Sequence, residues 1–254
     1  MDWGNSALLA GAGLIGGIVN AIAGGATLIT FPAMLAAGLP PVIANASNAV
    51  AISPGHLMAA LADYNKLPAF TGRIRLFISA TLLGGMLGAA LLLILPEKFF
   101  VLPVPALIAL ATVLFASAPW IQGRVRRGRD GKTASSTARH VGALTVASIY
   151  GGFFGAGLGI ILTATLSITE RNDIRAIKAL KNLLATAVSL AATVIFVLRG
   201  AVQWPSTVMM MGGAIFGGYA GGYLIRVLPA QYVRYFVIVA GAAMAGIYAV
   251  RYWF

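Results

Sequence analysis

An all-α polytopic membrane protein is the fold class this sequence predicts, and three observations point there. Hydrophobic residues fill 59% of the 254 positions and charged residues only 9%, against roughly 25% charged in an ordinary soluble domain. The mean hydropathy is +0.90. Six stretches are almost purely apolar over about 20 residues, the length a helix rising 1.5 Å per residue needs to cross a hydrocarbon layer about 30 Å thick. A soluble chain of this size cannot hide so much apolar surface. That excludes a cytosolic globular enzyme, a nucleic-acid binder and a disordered tail, and makes the lipid bilayer the solvent of the apolar side chains.

The six stretches are 41–62, 76–95, 101–121, 176–198, 206–227 and 232–252. Two further apolar regions, 5–38 and 140–168, are too long for one crossing and are broken by glycine. Ala23-Gly24-Gly25 interrupts the first; Gly151-Gly152 and Gly155-Ala156-Gly157-Leu158-Gly159 interrupt the second. Glycine in a helix interior costs about 1 kcal/mol relative to alanine, so such clusters mark a break or a close helix contact. The pieces that follow, 26–37 and 160–168, are long enough to cross only part of the bilayer. Each region is expected to form a broken segment or re-entrant hairpin, whose irregular backbone must be buried in protein or line a wet cavity.

The halves of the chain resemble each other. Gly84, Gly85, Gly88, Leu95 and Pro96 recur as Gly217, Gly218, Gly221, Leu228 and Pro229, and Gly25, Ile43 and Asn48 recur as Gly159, Ile177 and Asn182. Gly16-Gly17 matches Gly151-Gly152. A near-constant shift of this kind indicates duplication: a first repeat over 1–121, a basic linker over 122–139 and a second repeat over 140–254. Counting cations orients the repeats. If only the six long segments cross and each broken region enters and leaves on one face, 15 of the 18 Lys and Arg lie on the cytoplasmic side and the halves are inverted. The alternative, eight crossings with parallel halves, gives 11 against 7. The positive-inside rule prefers inverted repeats, each a glycine-broken re-entrant hairpin plus three transmembrane helices.

The net charge of +12 belongs to such cytoplasmic loops, so no nucleic-acid partner is expected. Cysteine is absent, and His56 and His140 show no metal-ligand spacing, so neither a metal nor a cofactor is expected. Met1–Asn5 lack a basic n-region and the first cation is Lys66, so no cleavable signal peptide is expected. No P-loop, Rossmann glycine pattern or Ser/His/Asp triad is present.

Three groups of residues could carry chemistry. The first is Asn20, Gly24, Gly25 and Thr27, with Gly159 and Thr163 in the second half. Helices restarting after these glycines leave their first N–H groups outside the helical ladder with partial positive charge, an anion site at mid-depth. The second is Asn45, Asn48 and His56, which share one face of 41–62, with Ser47 beside them and a bend expected at Pro54-Gly55. Amide donors bind an oxyanion without the cost of a buried charge, and His56 could carry a coupled proton. The third is the stripe Arg171, Arg175, Lys178 and Asn182, with Lys181 adjacent. Lys178 and Lys181 lie inside an apolar segment, where a cation either snorkels to the interface or faces a wet vestibule. Structural alternatives stand beside each: small-residue packing for the glycines, interhelical hydrogen bonds for the asparagines. Asp63 and Lys66 could pair at the interface or form a gate. Trp3, Trp120, Trp204 and Trp253 sit near span ends, as an aromatic belt requires.

The run Gly16-Gly17-Ile18-Val19-Asn20-Ala21-Ile22-Ala23-Gly24-Gly25-Ala26-Thr27-Leu28-Ile29-Thr30-Phe31-Pro32, followed by Gly38-Leu39-Pro40-Pro41 and Ala44-Asn45-Ala46-Ser47-Asn48, resembles the TauE/SafE sulfite exporter family, also called TSUP permeases. The resemblance extends over nearly the whole chain and is weaker in the second half. It implies a bacterial inner-membrane secondary transporter of small sulfur-containing anions such as sulfite, thiosulfate, sulfoacetate or related sulfonates, acting without ATP. Asn20, Gly24, Gly25, Thr27, Asn45 and Asn48 match the family motif. The substrate is expected between the two halves, with Gly159, Thr163, Lys181 and Asn182 as second-half contacts. A passive anion channel shares this composition and stays open. A membrane enzyme would need clustered carboxylates or histidines in its spans, and the six acidic residues lie mostly in loops. The oligomeric state, monomer or homodimer, is open.

Overall fold

The computed structural model describes residues 2–22, 25–62, 64–127, 137–169, 174–224 and 229–254, and within them every regular element is helical. In chain order the α-helices are α1 (Trp3–Ile22), α2 (Thr27–Ala36), α3 (Pro41–Ala62), α4 (Gly72–Ile94), α5 (Glu97–Val101), α6 (Val104–Arg127), α7 (Thr137–Phe153), α8 (Leu158–Thr169), α9 (Ile174–Leu198), α10 (Trp204–Leu224) and α11 (Ala230–Trp253). Local chemistry sets several boundaries. Pro41 opens α3 at the position where its missing N–H costs nothing. Pro96 and Pro229, the recurring Leu-Pro prolines, cap the starts of α5 and α11. Thr71 caps α4, its hydroxyl accepting from the Ile74 amide.

Each of the six expected long segments is a helix, and α3 has the expected limits. Five helical stretches are long and apolar enough to cross a membrane: Trp3–Ile22, Gly72–Ile94, Glu97–Trp120, Ala176–Leu198 and Gln231–Trp253. Side chains such as Ile94, Val113, Val146, Phe216 and Val239 are exposed on the outer helix faces, which reads as lipid contact. All four tryptophans are exposed, three of them at helix ends.

Both broken regions are broken, and the structure shows how. α1 is 20 residues long whereas α2 has ten, about 15 Å or half the bilayer core. The Asn5 amide donates to the Ala37 carbonyl at 3.5 Å, which brings the end of α2 back to the start of α1. The first unit therefore folds back with one long and one short arm. In the second unit α7 has 17 residues and α8 12. Gly25, Gly155 and Gly157 have φ of +97°, +78° and +80°, a backbone that favours glycine. Gly159, the sequence counterpart of Gly25, is not in the second break: it is the second residue of α8, and Gly155 and Gly157 make the turn. The repeat shift contracts there because α7 ends earlier than α1 does. The expected linker also narrows, since α6 continues to Arg127 and α7 begins at Thr137.

The duplicated glycines serve another purpose. α1 packs along α10, with Gly13 against Met210, Gly17 against Ala214 and Gly221 against Ile18, so the two helices run parallel. α4 packs along α7, with Gly84 against Thr145 and Gly88 against Ile149, again in parallel. α3 and α9 run antiparallel, because Asn182 reaches the Ala59 carbonyl at 3.3 Å and Thr186 the His56 carbonyl at 2.8 Å. A Cβ at Gly88 would lie 2.0 Å from the Ile149 carbonyl oxygen, and one at Gly217 2.0 Å from that of Leu14. Glycine here is the condition for helix contact, as in small-residue packing generally.

Gly88→Val or Gly217→Val should therefore destabilise by about 3 kcal/mol or more, the upper end for overpacking, because the obstructing atoms are backbone. Gly142→Ala, with nothing within 4 Å of the new Cβ, should stabilise by up to about 1 kcal/mol. Thermal melts of the detergent-solubilised variants check this; wild-type melting of Gly88→Val contradicts the packing.

Candidate functional site

The two breaks meet on α6. A Cβ at Gly25 would lie 2.8 Å from the Phe115 ring, and one at Gly157 3.6 Å from Leu114 and 4.0 Å from the Ala111 Cα. Both breaks thus rest on little more than one turn of the same helix, Ala111–Phe115. Phe31 of α2 meets Phe154 of the second break edge to face, centroids 5.4 Å apart.

At the first break Thr27 is the buried first residue of α2, and Thr30 donates its hydroxyl to the Ala26 carbonyl at 3.0 Å. The Ala26 N-cap makes no side-chain capping bond, and the first turn holds no acidic residue. The positive end of α2 therefore meets no side-chain oxygen from its own cap. The Asn20 amide nitrogen lies 3.5 Å from the Cβ position of Gly55, which places Asn20 against α3 beside His56. Gly24 lies outside the described residues.

At the second break Tyr150 donates its hydroxyl to the Ala156 carbonyl at 2.7 Å, and Asn45 of α3 donates its amide to the Phe153 carbonyl at 2.8 Å. The first satisfies a carbonyl of the break itself, the second the last carbonyl of α7, which lies outside the helical ladder. The sequence marked Asn45 but gave no signal for Tyr150, whose role comes from its place one turn before the glycines. Gly159 lies in the first turn of α8, its Cβ position 3.7 Å from the Lys181 Cδ. The Lys181 stem thus runs beside the positive end of α8. Thr163 donates to the Gly159 carbonyl at 2.6 Å, within its own helix.

The remaining candidates separate by burial. Asn45 and Asn48 are 2% and 1% exposed, whereas His56 and Lys181 are half-buried and Lys178 is exposed. An exposed Lys178 fits snorkelling; Lys181 alone of the two stands beside a break. The Asn182 amide donates to Ala59, and the Thr186 hydroxyl to both His56 and Asn182 carbonyls at 2.8 Å. Thr186, one turn beyond Asn182, escaped the sequence reading because threonine in a span is ordinary. Pro54 sits inside a helix that continues through it. Arg171 and Asp63 lie outside the described residues, and the side chain of Arg175 does too. No three His, Cys, Asp or Glu side chains gather to hold a metal among the described residues.

The α3–α9 bonds are energetic links between the halves. Asn182→Leu and Thr186→Val should each cost about 0.6–2 kcal/mol, the range for interhelical hydrogen bonds in membranes. Because both side chains close the same α3–α9 contact, on carbonyls one turn apart, the double variant should fall short of the sum. Unfolding free energies in mixed micelles measure both, and strict additivity would contradict the shared network.

A family model described as "Sulfite exporter TauE/SafE" matches residues 9–248. A "Probable membrane transporter protein" of Haemophilus influenzae is 28% identical over 94% of this chain and 92% of its own length. "Probable membrane transporter protein YfcA" of Escherichia coli K12 is 27% identical over 91% of this chain and 85% of its own. "Probable membrane transporter protein ORF9" of a Sinorhizobium species is 25% identical over 92% and 88%. No solved structure matches the chain. A match across nearly all of the sequence, on a multi-pass helical structure with paired helix breaks, settles the assignment: the chain is a membrane transporter belonging to the TauE/SafE sulfite exporter family.

Proposed function

We propose that the protein is a secondary carrier of small sulfur-containing anions (sulfite, thiosulfate, sulfoacetate or related sulfonates) in a bacterial inner membrane. One observation carries this: two helix breaks converge on one stretch of α6, Ala111–Phe115. There the positive ends of α2 and α8 can face one anion, with Gly25 and Gly159 admitting it to the backbone. Thr27 and Thr163 supply further polar groups, Gly24 with Gly25 keeps the approach to the backbone open, Lys181 supplies a cationic side chain, and Asn20 and His56 border the pocket. Asn45 and Asn182 hold its walls through the bonds described above.

The halves act as inverted repeats. The antiparallel course of the corresponding helices α3 and α9 supports this, as does the exchange of partners in which α1 pairs with α10 and α7 with α4. A two-fold axis in the membrane plane generates both features. Six crossings follow, with the 128–136 connection cytoplasmic, the arrangement that places 15 of 18 cations inside. Alternating access then comes from rocking of the halves, and the Phe31–Phe154 contact between the hairpins favours a closed carrier over an open pore.

Flux of sulfite and its relatives into proteoliposomes of the purified protein tests the proposal. A carrier accumulates its anion against a gradient when an ion gradient is imposed; a channel only dissipates. Gly25→Leu should abolish flux, because φ is +97° and Phe115 occupies the side-chain space. Lys181→Gln should raise the apparent KM about tenfold, the equivalent of ~1.4 kcal/mol of lost attraction, with protein still in the membrane. Wild-type flux in both variants removes the site.

A further inference from the structure

We propose that a dehydrated monovalent cation of sodium's class binds between α3 and the broken end of α7, as the ion that drives the anion. Asn45 and Asn48 are nine-tenths or more buried, at 2% and 1% exposure, and the Oδ1 of each has no hydrogen-bond partner. The orientation of Asn45 is fixed: the Phe153 carbonyl can only accept, so the amide nitrogen faces it and the oxygen turns elsewhere. Asn48 follows three residues later on the same helical face.

The two unpartnered atoms here, the Oδ1 of Asn45 and of Asn48, are both acceptors. α7 ends at Phe153, and the amides of Phe154 and Gly155 both turn back to the Tyr150 carbonyl, at 2.9 and 3.2 Å. The end of α7 therefore presents its negative pole beside Asn45, whose amide takes the Phe153 carbonyl, with Asn48 one turn further along α3. Such a set repels an oxyanion and attracts a cation, as unwound carbonyls and half-helix C-termini do in other carriers. The oxygens are all neutral. The six acidic residues are Asp2, Asp63, Glu97, Asp130, Glu170 and Asp173, so none belongs to α3, to α7 or to the turn 154–157. Without carboxylate charge to offset dehydration, a divalent ion is excluded and a singly charged, oxygen-seeking ion fits. The same break offers the opposite pole at the start of α8. Cation and anion would then sit on either side of four residues, 154–157, and neutralise each other during the crossing.

The proposal rests on the carrier reading for its role, though not for its binding, and the experiment separates the two. Radioactive sodium is titrated onto the purified full chain in detergent with no sulfur anion present. Binding should be saturable, displaced by unlabelled NaCl and not by choline chloride, at least tenfold weaker in Asn48→Leu and retained or tightened in Asn48→Asp. No saturable binding to wild type overturns the site, as does equal affinity of wild type, Asn48→Leu and Asn48→Asp. If Asn48→Leu does not fold, wild type and Asn48→Asp decide alone: binding lost in Asn48→Asp overturns it, and retained or tighter binding supports it. In proteoliposomes, saturable sodium binding without any sulfite flux sinks the anion substrate and keeps the cation site. Sulfite flux that runs equally in sodium and in choline, or that is driven by a pH gradient through His56 with no sodium binding, overturns the cation site and keeps the carrier.

Discussion

A peptide group in hydrocarbon has no water to bond, and leaving it unpaired costs several kcal/mol. Two helices too short to cross the bilayer, α2 and α8, therefore oblige the rest of the molecule to surround them. The breaks are packed on Phe115 and Leu114 of α6. Their orphan carbonyls are met by Asn45 from α3 and by Tyr150 from the preceding turn. Even α2, kept short by its geometry, is held from α11, where the Tyr248 hydroxyl donates to the Pro32 carbonyl at 3.0 Å. The positions of α3, α6 and α11 follow from the need to seal broken backbone against lipid.

The long arms of the hairpins solve a different problem. Lipid tails are as apolar as leucine, so helices gain little by hiding apolar side chains from them, and close backbone contact has to supply the attraction. Glycines on α1 and α10, and on α4 and α7, remove the side chains that would keep those backbones apart. Each broken hairpin thus has a rigid long arm clamped to a helix of the other half, and a short arm whose tip carries the free helix end. The proposed carrier would use that combination: fixed rods to transmit motion and a short, buried pole to meet the cargo.

The sequence made the helices legible because a bilayer imposes one length and one polarity on every crossing. Segment 41–62 became α3 with the same limits, and Gly25, Gly155 and Gly157 marked real interruptions, whereas Gly151-Gly152, expected to break the second region, lie inside α7 where Gly152 packs on Gly85. Less legible was which glycine does what. A glycine that adopts positive φ and a glycine that admits a neighbouring helix are the same letter, so Gly159 passed for the partner of Gly25 until Gly155 and Gly157 proved to make the turn. Hydrogen-bond partners were also beyond reach. Asn45 and Asn182 stood out as buried amides, but that they spend their donors on Phe153 and Ala59 is a fact of tertiary geometry. Periodicity places a residue on a face; it does not say what stands opposite.

Anion recognition through helix ends, as proposed, would also limit how tightly the anion is held. A ring of lysines buried in the membrane would bind an oxyanion strongly and release it slowly, and each charge would cost free energy to maintain in the empty state. Neither the α2 nor the α8 first turn carries an acidic residue, and Lys181 is the charged side chain beside the α8 end. Backbone dipoles of about half a unit charge are always present and need no counter-ion. They offer attraction that is directional and modest, so that a small rotation of one half weakens it. A site of fixed dipoles with Lys181 beside it would therefore be suited to release as well as to capture, which a transporter requires on every cycle.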